Sequence, residues 1–139
     1  LMLHGLCGAM KRNLLTLESD EVWMMKFMNF GRSWHKIKFV KDFIDLSEYK
    51  QEWGLAFIDH GNAGDLSMSL IRGHSVEALQ DVPVLVVHDT CFPWLYKYDE
   101  PFKLFKYRWD WRVQYTNCPQ TSVLSKTIDV AKIFAEFCL

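Results

Sequence analysis

The chain has 139 residues, half of them apolar and 24% charged, with a net charge of −1. That length fits a single domain, residues 1–139, with surface enough to bury a real core. The balance excludes collagen-like and disordered chains, and the lack of a basic block removes the electrostatic footprint of a nucleic-acid binder. No run of about 18 apolar residues suggests a membrane span. The start, Leu1-Met2-Leu3-His4-Gly5, lacks the basic head and cleavage site of a signal peptide, so a cytoplasmic setting is expected. The four cysteines (Cys7, Cys91, Cys118, Cys138) have neither zinc spacing nor a disulfide pattern. Six Trp, ten Phe and five Tyr suggest a dense core or an aromatic-walled cleft.

Taken in chain order, Leu1–Met10 is apolar enough for a helix. Asn13–Glu18 is a short apolar run ending in an acid, which reads as a buried strand. Asp20-Glu21 opens a helix through Arg32, since acids in a first turn suit the helix dipole. Trp23, Phe27 and Phe30 recur at helical spacing, as a core stripe does. His35–Val40 alternates as a strand. A polar loop, with Asp42 and Asp45, leads to the strand Trp53–Asp59. After the turn at 60–64, Ser67 opens a helix to about Leu79. Val82–Asp89 is the clearest buried strand, with Pro83 tolerated only at its start. Residues 92–105 are helical after Pro93. Tyr107–Thr116 and Thr121–Val130 form an antiparallel pair, and a helix covers Ala131–Phe137. Apolar strands alternating with helices predict an α/β fold with a mostly parallel sheet covered on both faces.

In such sheets, ligands bind beyond the carboxyl ends of the strands. Glu18, Asp59 and Asp89 end predicted strands, and Asp42 closely follows another. Asp59 and Asp89 form the sharpest pair. On strands about 4.8 Å apart they reach one hard cation such as Mg²⁺, or they cap helices. His60 and His88 adjoin these acids. In a cleft either histidine serves as a general base, because its pKa lies near working pH; the alternative is a backbone-bonded turn histidine. His4, His35 and His74 have no such context. Trp109 and Trp111 suit packing. The chain lacks a nucleophile elbow, a phosphate loop and a dinucleotide fingerprint.

Three segments carry a resemblance: Leu14-Leu-Thr-Leu-Glu-Ser-Asp-Glu-Val-Trp23, Trp53-Gly-Leu-Ala-Phe-Ile-Asp-His60 and Val84-Leu-Val-Val-His-Asp-Thr90. Together they resemble the class I S-adenosylmethionine-dependent methyltransferases over about residues 10–130. The resemblance implies a three-layer Rossmann-like sheet with a C-terminal antiparallel hairpin, the expected pair at 107–130. It implies S-adenosylmethionine as cofactor, with Glu18 at the ribose, Asp42 near the adenine, and Asp59 and His60 at the methionine portion or a metal. In catechol-type O-methyltransferases a comparable Leu-Asp-His turn supplies a metal ligand, and a second acid, followed by Asn, ends the fifth strand; Asp89 matches that acid, but Thr90 stands in place of the Asn. Mg²⁺ through Asp59 and Asp89 is thus an open expectation. His60 or His88 would deprotonate a small-molecule acceptor, walled by Phe92, Trp94, Tyr96 and Tyr98. The family's first strand and its glycine-rich loop precede the first helix, whereas this chain opens at that helix. The expectation is a domain truncated at its N-terminus. Two other functions stand beside methyl transfer: a non-catalytic domain of the same fold, and a metal-dependent hydrolase using Asp59, Asp89, His60 and His88.

Overall fold

The computed structural model describes residues 2–41, 46, 49, 52–60, 66–111 and 120–137, with 66–70 and 137 described by backbone alone. They fall into two compact units, Leu1–Phe43 and Ile44–Leu139. Among the described residues no helix is long and apolar enough to cross a membrane.

The first unit holds α1 (Met2–Ala9), β1 (Leu14–Glu18), α2 (Glu21–Phe27) and β2 (His35–Phe39). β1 and β2 pair in parallel, from Leu14 opposite His35 to Glu18 opposite Phe39. Asp20 caps α2 by accepting from the Trp23 amide at 3.0 Å, as the acids at its start predict. The helix is shorter than its expected reach to Arg32, because a 3₁₀ turn over Met28–Phe30 tightens its end. Trp23 stacks on Phe27, which meets Phe30 in turn. The three rings form the expected ladder but not a core: no residue of α2 or of the 3₁₀ turn is buried, and Trp23 is 49% exposed.

The second unit holds β3 (Leu55–Ile58), α3 (Leu66–Ala78), β4 (Val84–Val87), α4 (Pro93–Tyr96), β5 (Tyr107–Trp111), β6 (Thr121–Ser125) and α5 (Val130–Phe137). Its sheet runs β3-β4-β6-β5. β3 and β4 are parallel. β6 enters antiparallel between β4 and β5. Within this sheet β3, β4 and β5 therefore run one way and β6 runs against them. The described strands form an α/β structure with two sheets and mixed strand orientation, and the expected antiparallel pair is β5 with β6.

Ile58, Leu85, Val87 and Leu124 from the sheet meet Val76 of α3 and the rings of Tyr96 and Tyr98 in one buried cluster. Arg72, Ser75, Val76 and Leu79 share one helical face, and the first three of them are buried. Trp109 stacks on Phe134 of α5 with centroids 4.4 Å apart, so it packs as expected. The helix expected over 92–105 is broken into α4 and a 3₁₀ turn at Pro101–Leu104. The break is at Lys97, which is left-handed at φ 57°, and at Pro101, which has no amide to donate.

This break explains a glycine. A Cβ on Gly73 would stand 2.6 Å from the Lys97 carbonyl oxygen and 3.1 Å from that of Tyr96. Both obstacles are backbone. Gly73→Ala is therefore expected to cost about 2 kcal/mol despite alanine's helix propensity. Gly5→Ala in α1, which meets nothing within 4 Å, is expected to gain several tenths of a kcal/mol to ~1. Urea midpoints of the two variants check the pair; equal shifts would refute the steric account.

Candidate functional site

β3 and β4 end side by side, and each leads into an acid and a histidine: Asp59-His60 and His88-Asp89. The His88 amide donates to the Ile58 carbonyl at 3.0 Å, extending the ladder one residue past β4. The chain then turns at Asp89, whose φ is 58°. Asp tolerates this left-handed conformation better than most residues, at a modest cost in strain.

Between the two turns lies Arg72 of α3, whose side chain is 1% exposed. Its Nε donates to the His60 carbonyl. Nη1 donates to the His88 carbonyl at 3.2 Å and to Asp89 Oδ2 at 3.1 Å. Nη2 donates to Asp59 Oδ1 at 3.4 Å. The guanidinium also lies over the Tyr96 ring, 4.3 Å from its centroid. A planar fork with donors on three nitrogens suits this role; an ammonium does not. Burial works against the charge on Arg72, but hydrogen bonding with Tyr98 and the fields of Tyr98, Tyr96 and Asp89 outweigh it and raise its pKa.

The other groups divide by environment. His60 Nε2 lies 2.9 Å from Ser75 Oγ. Burial, and then the neighbouring Arg72 charge, push its pKa down to about 4, so the ring is neutral at pH 7. His88 is more open: its Nδ1 lies 3.0 Å from Thr121 Oγ1 and its Nε2 3.5 Å from Asp89 Oδ1. Burial raises the Asp59 pKa, aided by the Asp89 carboxylate and opposed by His88 and Arg72. Below Asp89, Thr90 donates to the Gln120 carbonyl, and the buried Ser122 hydroxyl is shared with Thr90 and Asp110. Tyr98 donates to the His88 carbonyl at 3.3 Å, and Tyr96 to Asp89 Oδ2 at 3.4 Å.

Of the expected residues, Asp59, His88 and Asp89 converge; the His60 ring instead meets Ser75 of α3, and its backbone carbonyl joins the others through Arg72. Glu18 ends β1 in the first unit, where one carboxylate oxygen accepts from the amides of Ser19 and Asp20. Asp42 lies outside the described residues. The aromatic set splits: Tyr96 and Tyr98 are buried in the core, while Phe92 and Trp94 are exposed. Arg72 and Ser75 were not among the expected site residues.

Asp59, His88 and Asp89 each offer one atom within 4.8 Å of the others, a spacing open to a metal ion. For Mg²⁺ the donor set is poor. A hard cation of that size wants near-octahedral oxygen ligands, and here a guanidinium lies 3.1–3.4 Å from both carboxylates. A second cation would have to displace it or share its acids.

No family model, curated protein or solved structure matches the chain.

Proposed function

We propose that the chain is a domain of the class I S-adenosylmethionine-dependent methyltransferase type, with a three-layer Rossmann-like plan, acting on a small-molecule acceptor. The observation that carries this reading is the joined pair of strand ends, in which parallel neighbours β3 and β4 present Asp59-His60 and His88-Asp89 around one buried arginine. Crevices at such strand ends are where α/β sheets take their ligands. The β5–β6 hairpin corresponds to the family's terminal one.

The cofactor would supply an activated methyl group. Glu18 suits the ribose hydroxyls through the carboxylate oxygen not engaged with Ser19 and Asp20. Asp59, 43% exposed, suits the ammonium of the methionine portion. A ring held near 4 is a weak base at neutral pH, so His60 does not suit the role of proton acceptor, which is left to the more open His88. His60 then holds α3 to β3 through Ser75. The main contribution to rate would be alignment of acceptor and methyl group. No step requires Mg²⁺.

One observation favours a second reading, a non-catalytic domain of the same fold: Arg72 already engages both acids. Calorimetric titration of the whole chain with S-adenosylhomocysteine, with and without Mg²⁺, separates the two. Catalytic ancestry with a working site predicts micromolar binding, unchanged by Mg²⁺ and lost in Asp59→Asn. A chain that folds cooperatively and binds nothing supports the non-catalytic reading. Phosphoester or amide hydrolysis that appears only with added metal would instead support a hydrolase.

A further inference from the structure

The first unit contains a second histidine pair that the strand-end site does not use. His4 of α1 and His35 of β2 are 31 positions apart, yet their Nδ1 atoms lie 2.9 Å from one another. His35 is 6% exposed, and His4 is half-buried. The other nitrogen of His35, Nε2, lies 3.0 Å from Thr16 Oγ1 on β1. Aromatic rings frame the pair: Trp34 sits 4.7 Å and Phe30 5.6 Å from the His4 ring, centroid to centroid. Trp34 is itself seated against Gly8, where a Cβ would meet its ring at 3.1 Å.

With Nε2–H donated to the Thr16 hydroxyl, His35 keeps its lone pair on Nδ1, facing His4. That is the arrangement a histidine ligand needs: one nitrogen faces the partner ring with its lone pair, and the other is tied to a polar group that sets ring orientation. The spacing agrees. Two nitrogens each ~2.0–2.1 Å from one cation stand ~2.9 Å apart at a right angle and ~3.4 Å apart at the tetrahedral angle. Imidazole pairs select the zinc, nickel and copper class rather than Mg²⁺ or Ca²⁺.

We infer that His4 and His35 together bind one divalent transition cation through their Nδ1 atoms, with water completing its coordination. In the metal-free protein the pair shares a single proton between the two nitrogens. On binding, His4 shifts that proton to its own Nε2, so both Nδ1 lone pairs face the ion and no net proton is lost. With two protein ligands the site takes exchangeable metal, and it ties α1 to the β1–β2 pair.

The test titrates the full chain with ZnCl₂ by calorimetry, and with NiCl₂ and CuCl₂ by tryptophan fluorescence. Open-shell ions quench a neighbouring indole, and Trp34 is in contact with the pair. The expected result is one micromolar site per chain, lost in His4→Gln and about tenfold or more weaker in Thr16→Val. It should persist in His74→Gln, which alters an exposed histidine, and in Asp59→Asn, which breaks the Asp59–His88–Asp89 group of the second unit. Each variant is first shown to unfold cooperatively. No saturable binding by the native chain would overturn the inference, and so would binding that survives His4→Gln. A site lost in Asp59→Asn and kept in both His4→Gln and Thr16→Val would move the metal to the strand ends instead.

Discussion

Arg72→Met is expected to destabilise the second unit by about 3–5 kcal/mol, toward the lower end of that range. Methionine keeps much of the bulk against Tyr96 but donates to nothing. Two carbonyls, of His60 and His88, and two carboxylates each lose a donor at once, though Tyr98 still donates to the His88 carbonyl and Tyr96 to Asp89. Asp59 is 43% exposed and regains water, so most of the cost falls on Asp89, at 18%, and on the carbonyls. Asp89→Asn in the Arg72→Met background should recover part of the loss, since it removes the stranded charge. Arg72→Lys should recover little, because one ammonium cannot span both strand ends. Urea unfolding measures all three, and a loss under ~1 kcal/mol for Arg72→Met would show that the guanidinium is dispensable.

Acid is expected to weaken the fold mainly through His60. Its pKa is about 4 in the folded chain against 6.5 in the unfolded chain. Above pH 6.5 the ring is neutral in both states and contributes no pH dependence. As pH falls from 6.5 toward 4, the unfolded chain takes up a proton that the folded chain refuses. Stability therefore falls across that window, by about 3 kcal/mol at its lower end. The lowered pKa of His35 acts with the same sign in the first unit. Asp59 acts oppositely: its raised pKa means the folded state binds a proton more readily, so acid favours folding there. Urea midpoints at about pH 7 and pH 4.5 should show the loss, and His60→Gln should flatten it. Parallel pH profiles for the native chain and that variant would remove His60 from the account.

Much of this architecture is legible in the residues, and the failures have causes. Apolar runs ending in acids locate β1, β3 and β4, and the ends of β3 and β4 bring Asp59, His88 and Asp89 together, while the His60 ring turns to Ser75. Alternation at Tyr107–Trp111 and the following β-rich run locate the hairpin. Strand order is harder to read, because the insertion of β6 between β4 and β5 depends on pairing across more than thirty residues. Arg72 escapes because a charged residue in a helix ordinarily faces water. The available signal is its position on the same helical face as Ser75, Val76 and Leu79. Tyr96 and Tyr98 look like pocket walls two residues apart, but the left-handed Lys97 between them turns both rings into the core. His4 and His35 carry no local signal at all. Only the packing of α1 against the β1–β2 pair makes them neighbours.

The position of β6 also bears on when the second unit can form. This strand follows β3, β4 and β5 in the chain, yet it lies inside the sheet, with β4 on one side and β5 on the other. Until it arrives, β4 has only β3 beside it, and Leu85 and Val87 lack the neighbour that closes their core. The contacts that complete the sheet are long in sequence, which makes for slow folding. The strand ends bearing His88 and Asp89 are made early, but Thr90 and His88 receive Gln120 and Thr121 only at that last step. Assembly of the second unit therefore waits on its final strand, while the first unit, with pairing confined to a short stretch of chain, has no such delay.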